Sequence, residues 1–307
     1  MFINQPPREF TREGAKVTRK QFFLVFMIPT FVILFFLAFY PLINAFYYSL
    51  QNWDLRSSRP IKFVGLKNYL QLLTDARFLN SLRVSLIWSI VTVGFSVFFG
   101  AGLLAPTVND YTKGGLRTVC LFVFIIPALL PRVGAAYMWR LMYSSSIGIF
   151  NYLLSFLKIG PIGFLENPSY ALYSVAAIDI WQWTFLIAAL TIILLQDIPK
   201  EIIEAGSLDG AKRWQLYRYI VFPVVIPPFL SIFFIKMMES LRSFDFIFVL
   251  TAGGPGVVTE TLDMYAYWQG IGSAGRVSFA SSMSIIMLVI TIILITLVWR
   301  GLVKWHD

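Results

Sequence analysis

Two apolar stretches of the chain carry polar side chains at helical spacing, and the spacing decides what those side chains could do. Asp179, Gln182, Trp183 and Leu186 stand at i, i+3, i+4 and i+7, and Lys236, Glu239, Ser240 and Ser243 repeat the interval, so each set lines one face of a helix. Ionisable groups within a membrane-crossing helix are costly and face a cavity or a partner, which makes the two stripes the candidate lining of a solute pathway. A solute site takes a few placed hydrogen-bonding groups and an apolar or aromatic surface. Gln182, Glu239 and Ser240 supply the first and Trp183 the second. Counted from the polar loop that both stretches share, Trp183 lies about 14 and Ser240 about 16 residues away, roughly 21 and 24 Å of helical rise, so similar depths are predicted. The competing reading is structural: Lys236, Glu239 and Arg242, three residues apart, neutralise one another or pair with a partner subunit.

Arrangements for covalent chemistry are missing from the sequence. No Gly-x4-Gly-Lys-Ser/Thr run occurs, so no loop of that kind cradles nucleotide phosphates. Gly270, Gly272 and Gly275 fit Gly-x-Gly-x-x-Gly, but no strand precedes them and an apolar run follows where a ribose-binding acid should stand, so the match is fortuitous. Cys120 is the single cysteine and excludes an intrachain disulfide; His306 is the single histidine, too few for a histidine-rich metal site. With no nucleophile beside a base, an enzymatic role is not expected, and no cofactor is expected on this chain.

The elements that must position the stripes are membrane spans. The chain is 58% hydrophobic and 13% charged, against roughly 45–50% and 25% in soluble domains. Apolar runs at about 22–50, 82–105, 118–143, 171–195, 224–250 and 279–302 each reach the roughly 20 residues a bilayer crossing needs. They predict an all-α membrane protein of about six transmembrane helices: a polar segment 1–21, a transmembrane domain 22–302 holding a polar loop at 197–223, and a tail 303–307. The first run is longer than the core of a signal peptide and no small-x-small site follows it, so it is read as a span. Kinks or breaks are expected near Pro29, Pro41, Pro127 and Pro131. Tyr47, Tyr48, Trp53, Trp139, Tyr143 and Trp299, near predicted ends, suit an aromatic belt.

The net charge of +9 would suit a nucleic-acid binder only if gathered on one exposed face. Here the basic residues stand between apolar runs, so membrane lipid rather than nucleic acid is the expected partner. Arg8, Arg12, Lys16, Arg19 and Lys20, then Lys113 and Arg117, then Lys200, Lys212, Arg213 and Arg218, then Arg300 and Lys304 fall on one side of six spans. Arg56, Arg59, Lys62, Lys67, Arg77, Lys158 and Arg276 are fewer over more loop on the other. The positive-inside rule places both termini and the 197–223 loop in the cytoplasm. Arg83, Arg132 and Arg140, near span ends, are expected to snorkel to the interface.

That loop is too polar to span and too patterned for a linker. Pro199 suits a first helical turn, Glu201 and Glu204 follow where the helix dipole favours acids, and Asp209-Gly210 is a turn signal. A second short helix carrying Trp214, Leu216, Tyr217 and Ile220 is predicted to end before Pro223. The loop reads as helix, turn, helix at the membrane surface. Here the sequence resembles the permease subunits of ATP-binding-cassette (ABC) importers, whose signature is Glu-Ala-Ala, Asp-Gly-Ala, Ile-x-x-Pro. It stands as Glu204-Ala205-Gly206, Asp209-Gly210-Ala211 and Ile220-Val-Phe-Pro223, with Gly206 where alanine is usual. Phe63-Val-Gly-Leu-Lys-Asn-Tyr69 and Ser243-Phe-Asp-Phe-Ile-Phe-Val-Leu-Thr-Ala-Gly-Gly-Pro255 look like the maltose- and glycerol-phosphate-type carbohydrate-uptake permeases.

The resemblance implies a type I ABC-importer permease fold in a bacterial or archaeal inner membrane, with a cytoplasmic coupling helix-turn-helix. It implies a second homologous permease, an ABC ATPase dimer that binds ATP and Mg, and an extracytoplasmic solute-binding protein. The implied solute is a di- or oligosaccharide, with glycerol-phosphate or another polar solute as the alternative. Glu204, Ala205, Gly206, Asp209, Gly210, Ala211, Ile220 and Pro223 would couple to the ATPase, small residues at 205, 206 and 211 allowing close approach and Glu204 meeting a basic group. Rival readings are an ion-coupled secondary transporter that uses Asp179, Glu239 or Lys236, and a membrane-embedded transferase or structural subunit.

Overall fold

The computed structural model describes residues 19–303. The predicted segment 1–21, apart from residues 19–21, and the predicted tail beyond residue 303 lie outside the described residues, as do Arg8, Arg12, Lys16, Lys304 and His306. Residues up to Tyr47 form one compact unit and those from Tyr48 onward a second. The first unit belongs to one long helix, α1 (Phe23–Ser49), which passes Pro29 without stopping and widens into a π turn at Phe35–Phe39.

In the second unit, α2 (Lys67–Thr74) is followed by α3 (Ala76–Tyr111), the bent pair α4 (Gly114–Leu129) and α5 (Arg132–Met142), α6 (Ile149–Phe156) and α7 (Ala171–Gln196). After these come α8 (Lys200–Leu208), α9 (Arg213–Ser240), α10 (Phe244–Leu250), α11 (Leu262–Tyr267) and α12 (Val277–Gly301). Among the described residues five helices are long and apolar enough to cross a bilayer, and α4 with α5 makes a sixth through a bend of 92°.

The bend has a local cause. Pro131 has no N–H to give the carbonyl of Pro127, and the chain turns there instead of continuing. Leu130 N bonds that carbonyl at 3.3 Å, and the Gln182 side chain of α7 donates to the carbonyls of Pro127 (2.9 Å) and Leu130 (3.0 Å). In hydrocarbon a break of this kind survives only where protein satisfies the freed groups.

Three predicted boundaries are corrected. The second helix of the 197–223 loop does not end before Pro223. It runs on as α9, because a π turn at Tyr217–Val221 absorbs the donor that Pro223 lacks. A span that begins at Arg213 already has sufficient length by Ser240, so the run predicted as one helix over 224–250 is cut at Leu241–Ser243 and α10 stands apart. The second span likewise starts at Ala76, where the Asp75 carboxylate accepts from the backbone N–H of Arg77 (2.8 Å) and Phe78 (3.0 Å) and sets the first turn.

The two sugar-permease-like motifs prove to be structural devices. After the turn at Gly65 (φ +60°), Asn68 donates to the carbonyls of Ser49 (2.8 Å) and Gln51 (2.7 Å), and the Tyr69 and Ser49 hydroxyls meet at 2.6 Å. In the second motif the hydroxyl of Thr259 bonds that of Thr251 (2.7 Å) and the Gly254 carbonyl (2.7 Å), closing a loop in which Gly253 takes φ +92°.

The centre of the bundle is α7, whose Ile178, Ile187, Ala188, Ala189 and Ile192 are buried. Its close approach to α3 rests on Gly100 in the π turn Phe98–Leu104: a Cβ there would stand 2.6 Å from the Thr184 carbonyl oxygen and 3.1 Å from Ile187. Small residues permit such backbone contact in membranes. Gly100→Ala is therefore expected to cost about 1–3 kcal/mol through overpacking against a backbone that cannot swing away. Thermal unfolding in detergent, followed by size-exclusion fluorescence, checks this; an unchanged melting temperature would show that the helices are not in contact there.

Candidate functional site

The polar stripes meet between α7 and α9. The Asp179 carboxylate and the Lys236 ammonium are in contact, with the residues 2% and 0% exposed. Lys236 Nζ also stands 5.0 Å over the Trp183 ring, a cation–π contact that strengthens when desolvated. Lys236 thus bridges Asp179 and Trp183, which stand one turn apart on α7. On α5, Arg132 donates to Glu239 (2.8 Å) and to the Arg242 carbonyl (2.9 Å), while Arg242 approaches Glu239 only to 3.9 Å.

The charges are therefore neutralised between helices, Asp179 with Lys236 and Glu239 with Arg132. Of the pairing expected at three-residue spacing, a long Arg242–Glu239 contact at 3.9 Å is present, while Lys236 pairs with Asp179 instead. Arg132 and Arg140 are bound to the protein, Arg140 donating to the Val249 carbonyl at 3.0 Å; Arg83 is exposed. Gln182 spends its amide N–H groups on the α4–α5 break. The buried Ser240 hydroxyl donates to the Met237 carbonyl (2.7 Å). Ser243 lies beyond the end of α9, off the stripe, with its hydroxyl 3.4 Å from both Asp263 carboxylate oxygens. Trp183, Leu186 and Glu239 remain partly exposed.

Sequence reasoning passed over a second polar cluster at the other end of α3 from the elbow. Glu260, 1% exposed, accepts from Arg77 Nε (2.7 Å) and Nη2 (2.6 Å), and the Arg77 guanidinium lies 5.1 Å over the Tyr265 ring. The Tyr265 hydroxyl donates to Asp75 at 3.0 Å. Burial first, and then the Asp75 carboxylate, push this phenol above its ordinary range. Burial likewise raises the Asp263 carboxyl, against the opposing bonds from Thr261 and Met264 N–H. The available signal was a lone acid, Glu260, next to the second motif.

The 197–223 elbow consists of α8, a turn and the first turns of α9. Gly210 takes φ +79°, a conformation that suits glycine, and Ala211 N bonds the Gly206 carbonyl at 3.1 Å. Gly206 is buried: a Cβ there would lie 2.6 Å from Ile220 Cδ1 and 2.8 Å from Leu216 Cδ2. Its small size thus serves the contact between the two elbow helices, not close approach from outside as expected. Ile220 is half-buried in that contact. Glu204, Ala205, Asp209, Gly210 and Pro223 are exposed and Ala211 is half-buried, with Leu208 (89%) and Trp214 (68%) bare beside them.

One residue of this region, Asp110 near the end of α3, was missed. Its carboxylate accepts from the Tyr217 hydroxyl (2.8 Å) and from Arg213 Nε (3.0 Å) and Nη2. An acid isolated beside Lys113 and Arg117 was the only sequence signal.

Five or six apolar spans, with ion pairs closed between α5, α7 and α9 and a patterned elbow between two of the spans, suit a membrane transport subunit. Residues 12–307 match the family described as "Binding-protein-dependent transport system inner membrane component". The chain belongs to that family. It is 30% identical over 262 residues to the "Trehalose/maltose transport system permease protein MalF" of Thermococcus litoralis, covering 85% of this chain and 88% of that one. It is 32% identical over 280 residues to the "Probable ABC transporter permease protein y4oQ" of Sinorhizobium fredii, covering 90% and 88%. Its fold matches a chain of a solved "bacterial alginate ABC transporter in complex with alginate pentasaccharide-bound periplasmic protein" with a TM-score of 0.83 at 19% identity, covering 95% and 97%.

Removing one member of a buried ion pair strands the other, at a cost of about 3–5 kcal/mol, whereas replacing both is often near neutral. Lys236→Met is expected to destabilise the purified chain by that amount, and Asp179→Leu with Lys236→Met to recover most of it. Denaturant titration of the single and double variants measures the coupling; additive losses would disprove the pair.

Proposed function

We propose that this chain lines the solute pathway of an ATP-driven, binding-protein-dependent sugar importer, together with a second homologous permease. The solute is a di- or oligosaccharide delivered by an extracytoplasmic binding protein. A separate ATPase dimer, which binds ATP and Mg, grips the α8–α9 elbow from the cytoplasm, where both termini also lie. The single observation that carries this reading is the elbow itself. Two short amphipathic helix segments close on each other through Gly206, Leu216 and Ile220, and they leave Glu204, Ala205, Leu208, Asp209 and Trp214 outward at one end of the bundle. That is a knob with exposed acids and apolar side chains, rimmed by the basic Lys200, Lys212 and Arg213.

Closure of the ATPase dimer moves the knob and rocks the two permeases between inward- and outward-open states, so the chain itself needs no covalent chemistry. Trp183, Leu186 and Glu239 are the residues of the stripe with surface left for solute. Asp179, Gln182, Lys236, Ser240 and Ser243 hold the frame behind them. A neutral polyhydroxy solute is favoured over a phosphorylated one because the two cations beside the stripe, Lys236 and Arg132, already have carboxylate partners. The name of the Thermococcus relative, a trehalose/maltose permease, supports a neutral sugar.

In the reconstituted complex, Glu204→Lys is expected to abolish solute-dependent stimulation of ATP hydrolysis without changing membrane insertion; normal stimulation would refute the docking role. Trp183→Ala is expected to depress uptake of the solute while its binding protein still stimulates ATP hydrolysis, and uptake at the parental rate would remove Trp183 from the pathway.

A further inference from the structure

Building on the reading of the elbow as the ATPase contact, we propose that Asp110 is a positioning residue for energy coupling: it fastens the base of the elbow to the end of the second span, so that a push on the elbow moves α3 and α9 as one body. Three side chains converge on this single carboxylate: Arg213 through Nε and Nη2, the Tyr217 hydroxyl, whose one hydrogen is shared between the two oxygens at 2.8 Å, and Asn109 through Nδ2 at 3.4 Å. Arg213 is itself held, its guanidinium 4.8 Å over the Tyr111 ring and Nη1 3.1 Å from the Tyr111 hydroxyl. The helix that presents Asp110 is anchored in turn. Arg117 of α4 donates through Nη2 to the carbonyls of Asn109 and Thr112, both at 2.6 Å, and through Nε to Thr112 at 3.1 Å.

Packing links the two helices over part of their length. Above the clamp an apolar groove of about 310 Å³ runs between Val97, Phe98, Ala101 and Pro106 of α3 and Phe222 and Phe229 of α9. Beside the groove, Ala105 and Val108 of α3 share a buried apolar cluster with Val221 and Val225 of α9, so packing and the clamp act on the same pair of helices. Stability is not a sufficient reason for the clamp. The Arg213 side chain is 51% exposed, and ion pairs open to water contribute little to stability. What the convergence fixes is geometry: the first turn of α9 cannot swing away from α3 while Asp110 holds both Arg213 and Tyr217. Coupling between distant sites travels through hydrogen-bonded and packed networks of this sort.

The test uses the whole complex in liposomes, with Cys120→Ser as the parent, and reads solute imported per ATP hydrolysed. Asp110→Ala is expected to lower that ratio about fivefold or more, the lower range of coupling between sites. Asp110→Cys with Arg213→Cys is expected to show the same loss when its thiols are free, and to recover at least half of the parental ratio once a short bis-methanethiosulfonate joins them. Recovery within one polypeptide distinguishes lost positioning from misfolding. A bridge that leaves the ratio low, or a parental ratio in Asp110→Ala, would overturn the inference. Glu204→Lys is run beside them. If it too keeps the parental ratio, the elbow reading fails; if it loses coupling while the Asp110 variants keep theirs, only the clamp fails.

Discussion

Inside hydrocarbon a backbone carbonyl without a partner cannot turn to water, and this constraint organises the molecule more than any charge does. The helices are interrupted at Leu130–Pro131, at Leu241–Ser243 and at the end of α10, and each interruption leaves carbonyls that a neighbouring element must satisfy. Gln182 reaches across from α7 to the first, Arg132 from α5 to the second, and Arg140 from α5 to the third. The same long polar side chains that a reading of composition assigns to solute or to the lipid interface are thus committed to the backbone. Broken helices and intramembrane polar residues are two halves of one arrangement.

The charges follow from that arrangement. Once Arg132 is drawn to the Arg242 carbonyl, its remaining nitrogen faces Glu239, and Lys236 is left to Asp179. Each charge buried between α5, α7 and α9 then has an opposite beside it, as the cost of an isolated buried ion requires. The partly exposed surface that remains, Trp183 with Leu186 and Glu239, combines an aromatic face with a hydrogen-bond acceptor.

At the elbow, Gly206 admits Leu216 and Ile220, the Asp209-Gly210 turn reverses the chain, and the π turn carries the helix past Pro223 into α9 without a break. The elbow is therefore the beginning of a span and not a tethered loop, so its displacement is a displacement of α9. The carboxylate of Asp110 extends the same body to α3.

The sequence by itself determined the number of spans, the turn at Asp209-Gly210, the helix starting after Pro199 and the family, because each rests on local composition or on a short contiguous motif. It also marked Pro127 and Pro131 as a break, since a missing N–H is a property of the residue. What only the tertiary structure decided was partnership. Asp179 and Lys236 are 57 residues apart, Arg132 and Glu239 107, and Asp110 and Arg213 103. Spacing along one helix says which side chains share a face; it carries no record of which other helix that face will meet. The continuation of α9 through Pro223 was hidden for a related reason: a proline removes one donor, and whether the helix stops or widens around the loss depends on what the surrounding elements hold in place.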